Sequence, residues 1–188
     1  MRIAAVARMA VIATLTGQAG ETAPADQHTV TVCREGNADY GVKSAQAMAA
    51  EMFAAIGVTI DWREGLAGCP AQGILISLIP ETPPGLKPGA FAYATPYENH
   101  IRVFYDRVAE HRPKLLVPHL LAHVLVHEIT HVLQPNPRHS TQGLMKARWT
   151  KEDINSMMWG HLPFTSEDVN LIYLGLAARP VASSRGSQ

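Results

Sequence analysis

The 188-residue sequence has only two cysteines, no excess of charge of either sign and no internal repeat. Lysine and arginine number 16, as do aspartate and glutamate, so the formal net charge is zero. No cluster of basic residues forms a nucleic-acid footprint or a polybasic membrane patch, so neither nucleic acid nor an anionic membrane surface is an expected partner. At this length a single domain is the default, and a monomer is assumed.

The amino-terminal segment combines basic residues, a short apolar run and small residues. Arg2 and Arg8 precede an apolar run at 9–15, and small residues follow at 16–20. This order is typical of a secretory signal peptide that ends at Ala19, although an amphipathic helix that stays attached is the alternative. The run is too short to cross a bilayer and nothing later approaches the needed length, so no membrane span is expected. The sequence therefore predicts an exported protein, secreted or periplasmic.

Export also bears on the two cysteines. An even number of cysteines in an exported chain favours one disulfide, here between Cys33 and Cys69, and the alternative is two buried free thiols. The predicted organisation is a signal peptide at 1–19, an N-terminal tail at 20–28, one domain at 29–179 and a flexible tail at 180–188.

Residues 127–131 give the strongest indication of chemistry, because they read His-Glu-Ile-Thr-His, an HExxH motif. On a helix, His127 and His131 project from nearly the same face and can bind one metal ion, while Glu128 points to the flank. A chain with nine histidines can contain this pattern by chance. The preceding run 115–126 is strongly apolar, and burying two imidazoles and a carboxylate is costly unless they are paired or hold a metal. The motif therefore predicts a Zn²⁺ site with Glu128 as catalytic base.

A catalytic zinc site takes three protein ligands and leaves one position open, so the pair needs a partner. His139 is the nearest candidate, because two prolines end the helix and the chain can then fold back under the metal. Glu152, His161 or a site with two histidines remain alternatives. Glu152 is better explained by the first turn of a helix capped by Thr150, where acidic side chains are favourable.

His119 and His123 continue the four-residue spacing toward the start of the motif helix. Successive steps of four turn gradually around the helix axis, so His123 is closer to the site than His119. Both are best explained as hydrogen-bonded or partly solvated histidines, with His123 a lesser candidate for orienting the metal ligands.

The periodicity of the remaining sequence predicts alternating strands and helices. Apolar residues at helical spacing indicate a helix over 40–56, and β-branched and apolar runs indicate strands at 29–33, 58–62, 73–79, 90–95 and 101–105. The continuous apolar run of 73–79 suits a central strand. The motif helix is predicted over 118–133. A further helix is predicted after its cap Thr150, and the last helix runs from Ser166 to Ala178, with Ser166 in the same capping role.

The element order and the segment 127–145 resemble the metzincin class of zinc metallopeptidases, a branch of the zincins. His139-Ser140 followed by Gly143-Leu144-Met145 is similar to the third histidine ligand and the methionine turn that lie beneath the zinc in that class. The chain departs from the usual pattern, in which the third histidine lies closer to the first and a glycine occupies the bend. Here His139 lies twelve residues after His127, and 134–137 reads Gln-Pro-Asn-Pro.

The resemblance implies an α+β fold in which a mixed five-stranded sheet lies over the active-site helix, with a small helical C-terminal part. It also implies that the strand near 91–95 is an antiparallel edge strand that receives an extended peptide, and an ordinary hairpin strand is the alternative. Several metzincin families place an oxyanion-stabilising tyrosine shortly after the methionine, whereas residues 146–149 here read Lys-Ala-Arg-Trp. The oxyanion-stabilising group is therefore unassigned.

The expected function is hydrolysis of peptide or protein substrates by an exported zinc-dependent metallopeptidase. Glu128 would take a proton from the attacking water and deliver it to the leaving amine. Two alternatives stay open: a zinc hydrolase acting on a non-peptide amide or on cell-wall material, and a catalytically inactive zinc-binding domain. The intact Glu128 argues against the inactive domain, because a structural zinc site needs no base.

Overall fold

The computed structural model describes residues 28–36, 39–86, 88–111 and 113–179. The predicted signal peptide at 1–19 and the predicted tail at 180–188 lie outside the described residues. The same holds for the predicted N-terminal tail except His28, which belongs to the first strand.

Five strands form one mixed sheet: β1 (His28–Glu35), β2 (Val58–Glu64), β3 (Ile74–Ile79), β4 (Ala92–Thr95) and β5 (His100–Phe104). Their order across the sheet is β2-β1-β3-β5-β4. β2, β1, β3 and β5 run parallel to their neighbours, and β4 is antiparallel to β5. The predicted mixed sheet with a central third strand and an antiparallel edge strand is confirmed, and strand ends differ from the prediction by no more than two residues.

The first crossover places one helix on the sheet and against the motif helix. α1 (Tyr40–Ala54) joins β1 to β2, and the Asp39 carboxylate caps it by accepting from the Val42 N–H at 2.8 Å. α1 ends two residues earlier than predicted, and Gly57, with φ of 76°, supplies the turn into β2. Because side chains alternate along a strand, the buried Val30 and Val32 of β1 face the same layer of helices.

A disulfide joins Cys33 of β1 to Cys69, with the two Cα atoms 6.0 Å apart. Cys69 lies in the loop 65–73, which runs from β2 to β3 and must pass β1, since β1 lies between those strands. Cys33 points to the face opposite Val32, so the bond holds this loop against the outer face of the sheet. The predicted disulfide is confirmed.

The motif helix α3 (Leu116–Leu133) lies under the sheet and contacts α1, β4, β5 and α5. It begins two residues earlier than predicted, and all of its residues except Pro118 and His119 are buried. By length and hydropathy α3 could cross a membrane, so the expectation that no later segment approaches such a length is wrong. In the protein most of the helix is buried, as in the core helix of a folded domain.

The described chain has three further α-helices, α2 (Tyr105–Ala109), α4 (Lys151–Ser156) and α5 (Ser166–Ala178), and a short 3-10 helix (Pro96–Glu98) between β4 and β5. α2 replaces the predicted end of the last strand, because Tyr105 already belongs to the helix. Thr150 caps α4 as predicted. For α5 the cap is Thr165 instead of Ser166, because the Thr165 hydroxyl accepts from the Asp168 N–H and the Asp168 carboxylate accepts from the Thr165 N–H.

Candidate metal centre

Three histidines meet at the C-terminal half of α3. The Nε2 atoms of His127 and His131 are 3.0 Å apart, and His131 Nε2 lies 3.2 Å from His139 Nε2. Their candidate ligand atoms all lie within 4.8 Å of one another. α3 ends at Leu133, and the prolines that follow direct the chain back under the helix. The structure thus brings together the three residues that the sequence indicated as ligands.

The spacing of the three ring nitrogens fits a shared cation. Zinc–imidazole bonds of about 2.0–2.1 Å at tetrahedral angles place neighbouring nitrogens about 3.3–3.4 Å apart. Two of the three distances, 3.0 and 3.2 Å, are close to that value, and the ligand atoms of His127 and His139 lie within 4.8 Å of each other. Lone pairs that converge at this distance repel each other unless a proton or a metal ion lies between them. The donor set therefore suits a metal with three nitrogen ligands.

Burial keeps these imidazoles neutral. Loss of solvent lowers the pKa of His127 to about 4 and that of His131 to about 3. The pKa of the more exposed His139 is also lowered by burial. Near pH 7 all three rings are therefore uncharged, which is the form that binds a metal.

Backbone groups fix the orientation of His127. Its Nδ1–H donates to the Leu144 carbonyl at 3.0 Å, which leaves the unprotonated Nε2 facing the other two histidines. The Trp149 indole N–H donates to the same carbonyl at 3.1 Å, and its ring lies edge-on to His127 at 5.5 Å. His131 differs, because its buried Nδ1 has no hydrogen-bond partner among the described residues.

Glu128 lies beside the histidines and is only 9 % exposed. Burial raises its pKa to about 7, and a hydrogen bond from the Ala94 N–H opposes that rise. This bond joins the carboxylate to the edge strand β4. A carboxyl group with a pKa near neutrality can both accept and donate a proton at physiological pH.

The segment Ser140–Met145 forms a tight turn beneath His127. The Ser140 N–H donates to the Met145 carbonyl at 2.8 Å, and Gly143 adopts a left-handed φ of 70°. A Cβ atom on Gly143 would lie 2.3 Å from the Pro163 carbonyl oxygen, so only glycine fits there. Met145 is fully buried.

The Ser140 hydroxyl ties this turn to α5, because it donates to the fully buried Asp168 carboxylate at 2.5 Å. The sequence indicated Asp168 only as a residue of a helix start. Its contact with Ser140, 28 residues away, left no signal in the local pattern.

Two solved structures share this architecture. Archaemetzincin from Methanopyrus kandleri superimposes with a TM-score of 0.57 at 15 % identity, over 82 % of this chain and 98 % of that one. A zinc-dependent peptidase from Methanocorpusculum labreanum gives a TM-score of 0.51 at 9 % identity, over 78 % and 99 %. The chain has a metzincin-like fold. No protein-family model and no curated protein sequence matches it.

The other candidate ligands lie apart from the metal centre of this metzincin-like fold. Glu152 is exposed in the first turn of α4. His161 lies in the loop before α5, with its ring 5.9 Å from that of His123. His123 donates through Nδ1 to the His119 carbonyl at 2.7 Å and accepts at Nε2 from the Leu162 N–H at 3.1 Å. It therefore holds the loop 157–165, and no hydrogen bond from it reaches a ligand among the described residues.

The metal centre opens into a cleft of about 800 Å³. The edge strand β4, the residues around α2 and the segment 146–149 line it. Three neutral nitrogens and a titratable carboxylate therefore lie at a cleft that is large enough for several residues of an extended chain.

Proposed function

We propose that the protein is a zinc-dependent metallopeptidase that hydrolyses peptide bonds. One observation carries the proposal: three neutral, converging imidazoles and the buried Glu128 carboxylate share one cleft beside an open sheet edge. One of the two similar structures is named a zinc-dependent peptidase, which supports the same activity here.

His127, His131 and His139 would hold the zinc ion. Bound Zn²⁺ lowers the pKa of water and polarises carbonyl groups. The Leu144 carbonyl fixes the tautomer of His127, and the turn that ends at Met145 supports that carbonyl from below. The neutral rings leave the positive charge of the ion undiminished, which favours attack on a carbonyl group.

Glu128 would move the proton. Its carboxylate oxygen accepts a proton from the attacking water, and the same carboxyl then donates that proton to the nitrogen of the leaving amine. A pKa of about 7 suits both steps near neutral pH. The Ala94 N–H holds one oxygen of the carboxylate at the edge strand and so fixes its position.

The free edge of β4 supports a peptide as substrate. The Phe104 N–H donates to the Phe91 carbonyl at 2.7 Å, so Phe91 faces β5. Because successive residues of a strand face opposite edges, Ala92 and Ala94 face the open side. The Ala94 N–H binds Glu128, and Ala92 can pair with an extended backbone next to the metal centre.

We also propose that the protein acts outside the cytoplasm. The disulfide between Cys33 and Cys69 supports this location, because such bonds persist in oxidising compartments.

The substitution Glu128→Gln tests the proposed chemistry. The amide keeps the size of the side chain but cannot accept the proton, so peptide hydrolysis should fall at least about a hundredfold while zinc content stays near one per chain. Hydrolysis of a peptide library and metal content by mass spectrometry are the two measurements. Glu152→Gln is the matched control and should change neither.

Two outcomes would contradict the proposal. Equal rates for the parent protein and Glu128→Gln would exclude Glu128 as the base. If the protein cleaves cell-wall material or a non-peptide amide but no peptide, its substrate belongs to that other class and the proposed peptidase activity is wrong.

A further inference from the structure

One cationic side chain in the cleft has a charge that the surrounding protein does not neutralise. Three cationic side chains line it: Arg107, Lys146 and Arg148. Arg107 donates to the Ala90 carbonyl at 2.6 Å, and Lys146 forms an ion pair with Asp153. Arg148 is exposed, and in the described part of the chain it has no ion pair or hydrogen-bond partner. Its charge is therefore available to a ligand in the cleft.

The backbone on both sides of Arg148 is anchored, although its guanidinium is not. Lys146 pairs with Ser140 across the turn beneath the metal centre and is held by Asp153. Trp149 is held by its hydrogen bond to the Leu144 carbonyl. These contacts place Arg148 reproducibly on the wall of the cleft, with a side chain that is free to meet a substrate.

The acidic residues of the cleft do not provide the counter-ion. The lining contains two carboxylates, Glu110 and Glu128. Glu128 is buried and accepts from the Ala94 N–H. Glu110 follows α2 directly, and no ion pair joins it to Arg148 in the described part of the chain. An unpaired guanidinium on one wall of a cleft attracts anions, and its planar pair of N–H donors matches a carboxylate.

We propose that Arg148 is a specificity-determining residue that binds a carboxylate of the peptide substrate. The inference rests on the proposed peptidase function and adds a substrate class to it. The carboxylate belongs either to an acidic side chain near the scissile bond or to the free C-terminus of a short peptide. Both present the same planar anion. Peptides that differ in only one of the two carboxylates distinguish the two sources.

The test compares fluorogenic peptides that differ only in charge. One series carries glutamate or glutamine at each position on both sides of the scissile bond, and a second pair ends in a free carboxylate or an amide. The parent protein should cleave the anionic member of one pair about tenfold faster, as kcat/KM, since tenfold corresponds to one charge-assisted hydrogen bond. This preference should shrink in 1 M NaCl, where charges are screened within about 3 Å.

Substitutions of Arg148 test whether this side chain causes the preference for anionic peptides. Arg148→Gln should remove the preference, so that the anionic and neutral members of each pair are cleaved with the same kcat/KM. Arg148→Lys should keep part of it, and Arg148→Glu should favour peptides with lysine at the same position. Arg63→Gln is the matched control, because Arg63 lies in β2 at the far side of the sheet, and it should keep the full preference.

Binding provides a readout that does not depend on turnover. With Glu128→Gln as background, the same peptides can be titrated while the tryptophan fluorescence is followed, to which Trp149, the neighbour of Arg148, contributes. The anionic peptide should bind about tenfold more tightly, and adding Arg148→Gln should abolish the difference.

The outcomes separate this inference from the proposed function. If charged and neutral peptides are cleaved alike, or if the preference persists in Arg148→Gln, the role of Arg148 is wrong and the peptidase function stands. If no peptide is cleaved or bound, the peptidase function fails and the carboxylate preference fails with it.

Discussion

The three candidate ligands differ in how firmly the backbone holds them. His127 and His131 lie on a buried helix, whereas His139 lies on an exposed loop that follows two prolines. Only His127 has a hydrogen-bond partner in the described chain that fixes its tautomer. The third ligand therefore depends most on the metal itself for its position.

We expect His139→Ala to weaken zinc binding at least about a hundredfold, because loss of one ligand costs more than loss of a supporting contact. Metal content after dialysis and competition with a chelator measure the effect. His161→Ala, which alters a histidine outside the cluster, should keep one zinc per chain. Full zinc retention by the His139 variant would remove His139 from the site.

His123 makes folding sensitive to acid. Burial lowers its pKa to about 4, from about 6.5 in an unfolded chain. Between pH 4 and pH 6.5 the unfolded chain binds a proton more readily than the folded protein does. The contribution of neutral His123 to the free energy of unfolding is therefore present above pH 6.5 and is lost as the pH falls toward 4. Protonation would also place a proton on Nε2, which accepts from the Leu162 N–H.

Substitution by glutamine isolates this effect, because an amide oxygen can accept from Leu162 but does not titrate in this range. Between pH 7 and pH 5 the parent protein should lose about 2 kcal/mol more unfolding free energy than His123→Gln. Urea denaturation at the two pH values measures the difference. Equal losses in both proteins would show that His123 is not the acid-sensitive group.

At the scale of elements, the turn 140–145 depends on one glycine. Gly143→Ala would impose a left-handed φ on a residue with a Cβ atom and bring that atom against the Pro163 carbonyl. We expect a loss of about 3 kcal/mol in stability and weaker zinc binding, because Leu144 would shift away from His127. Gly85→Ala, at a φ of 86° with open space around it, should cost only about 1 kcal/mol and leave zinc binding intact.

The elements predicted best were those with a clear pattern of apolar residues or with residues that mark the end of a helix or strand. The continuous apolar run of β3 marked a central strand, and α5 was predicted with its observed ends. α2 was missed, because its five residues are too few to show a helical period after a strand. The cap of α5 was placed one residue late, because Thr165 and Ser166 are both good capping residues and only the contact with Asp168 decides between them.

The candidate site was predictable only where side chains carry its chemistry. His127, Glu128 and His131 form a motif with a known spacing on a helix, and His139 follows at a plausible distance. The Leu144 carbonyl and the Ala94 N–H are backbone groups, which no residue type reveals. Their places follow from how the turn and the edge strand pack on α3, and that packing involves the whole described fold.

At the scale of the whole molecule, the disulfide closes a long loop on the outer face of the sheet. Replacing Cys33 and Cys69 together by alanine should reduce the unfolding free energy by about 3 to 4 kcal/mol in the chain-entropy model. Zinc content of the folded protein should not change, because the bond holds the loop 65–73 on the outer face of the sheet. Thermal unfolding with metal analysis tests both statements, and a variant as stable as the parent would contradict the first.

The unequal anchoring of the ligands has a kinetic consequence. α3 is buried almost throughout, so opening it requires global unfolding and should be rare. The loop that bears His139 is exposed at 135–137 and at His139 itself, and the ion pair between Arg138 and Glu167 ties it to α5. We expect such a segment to open at a lower cost than the buried helix. Release of the ion should therefore begin with detachment of His139 while the helix stays intact, and the off-rate should follow local opening of 134–139 more closely than overall stability. Amide hydrogen exchange recorded beside chelator-driven zinc release would reveal the two timescales.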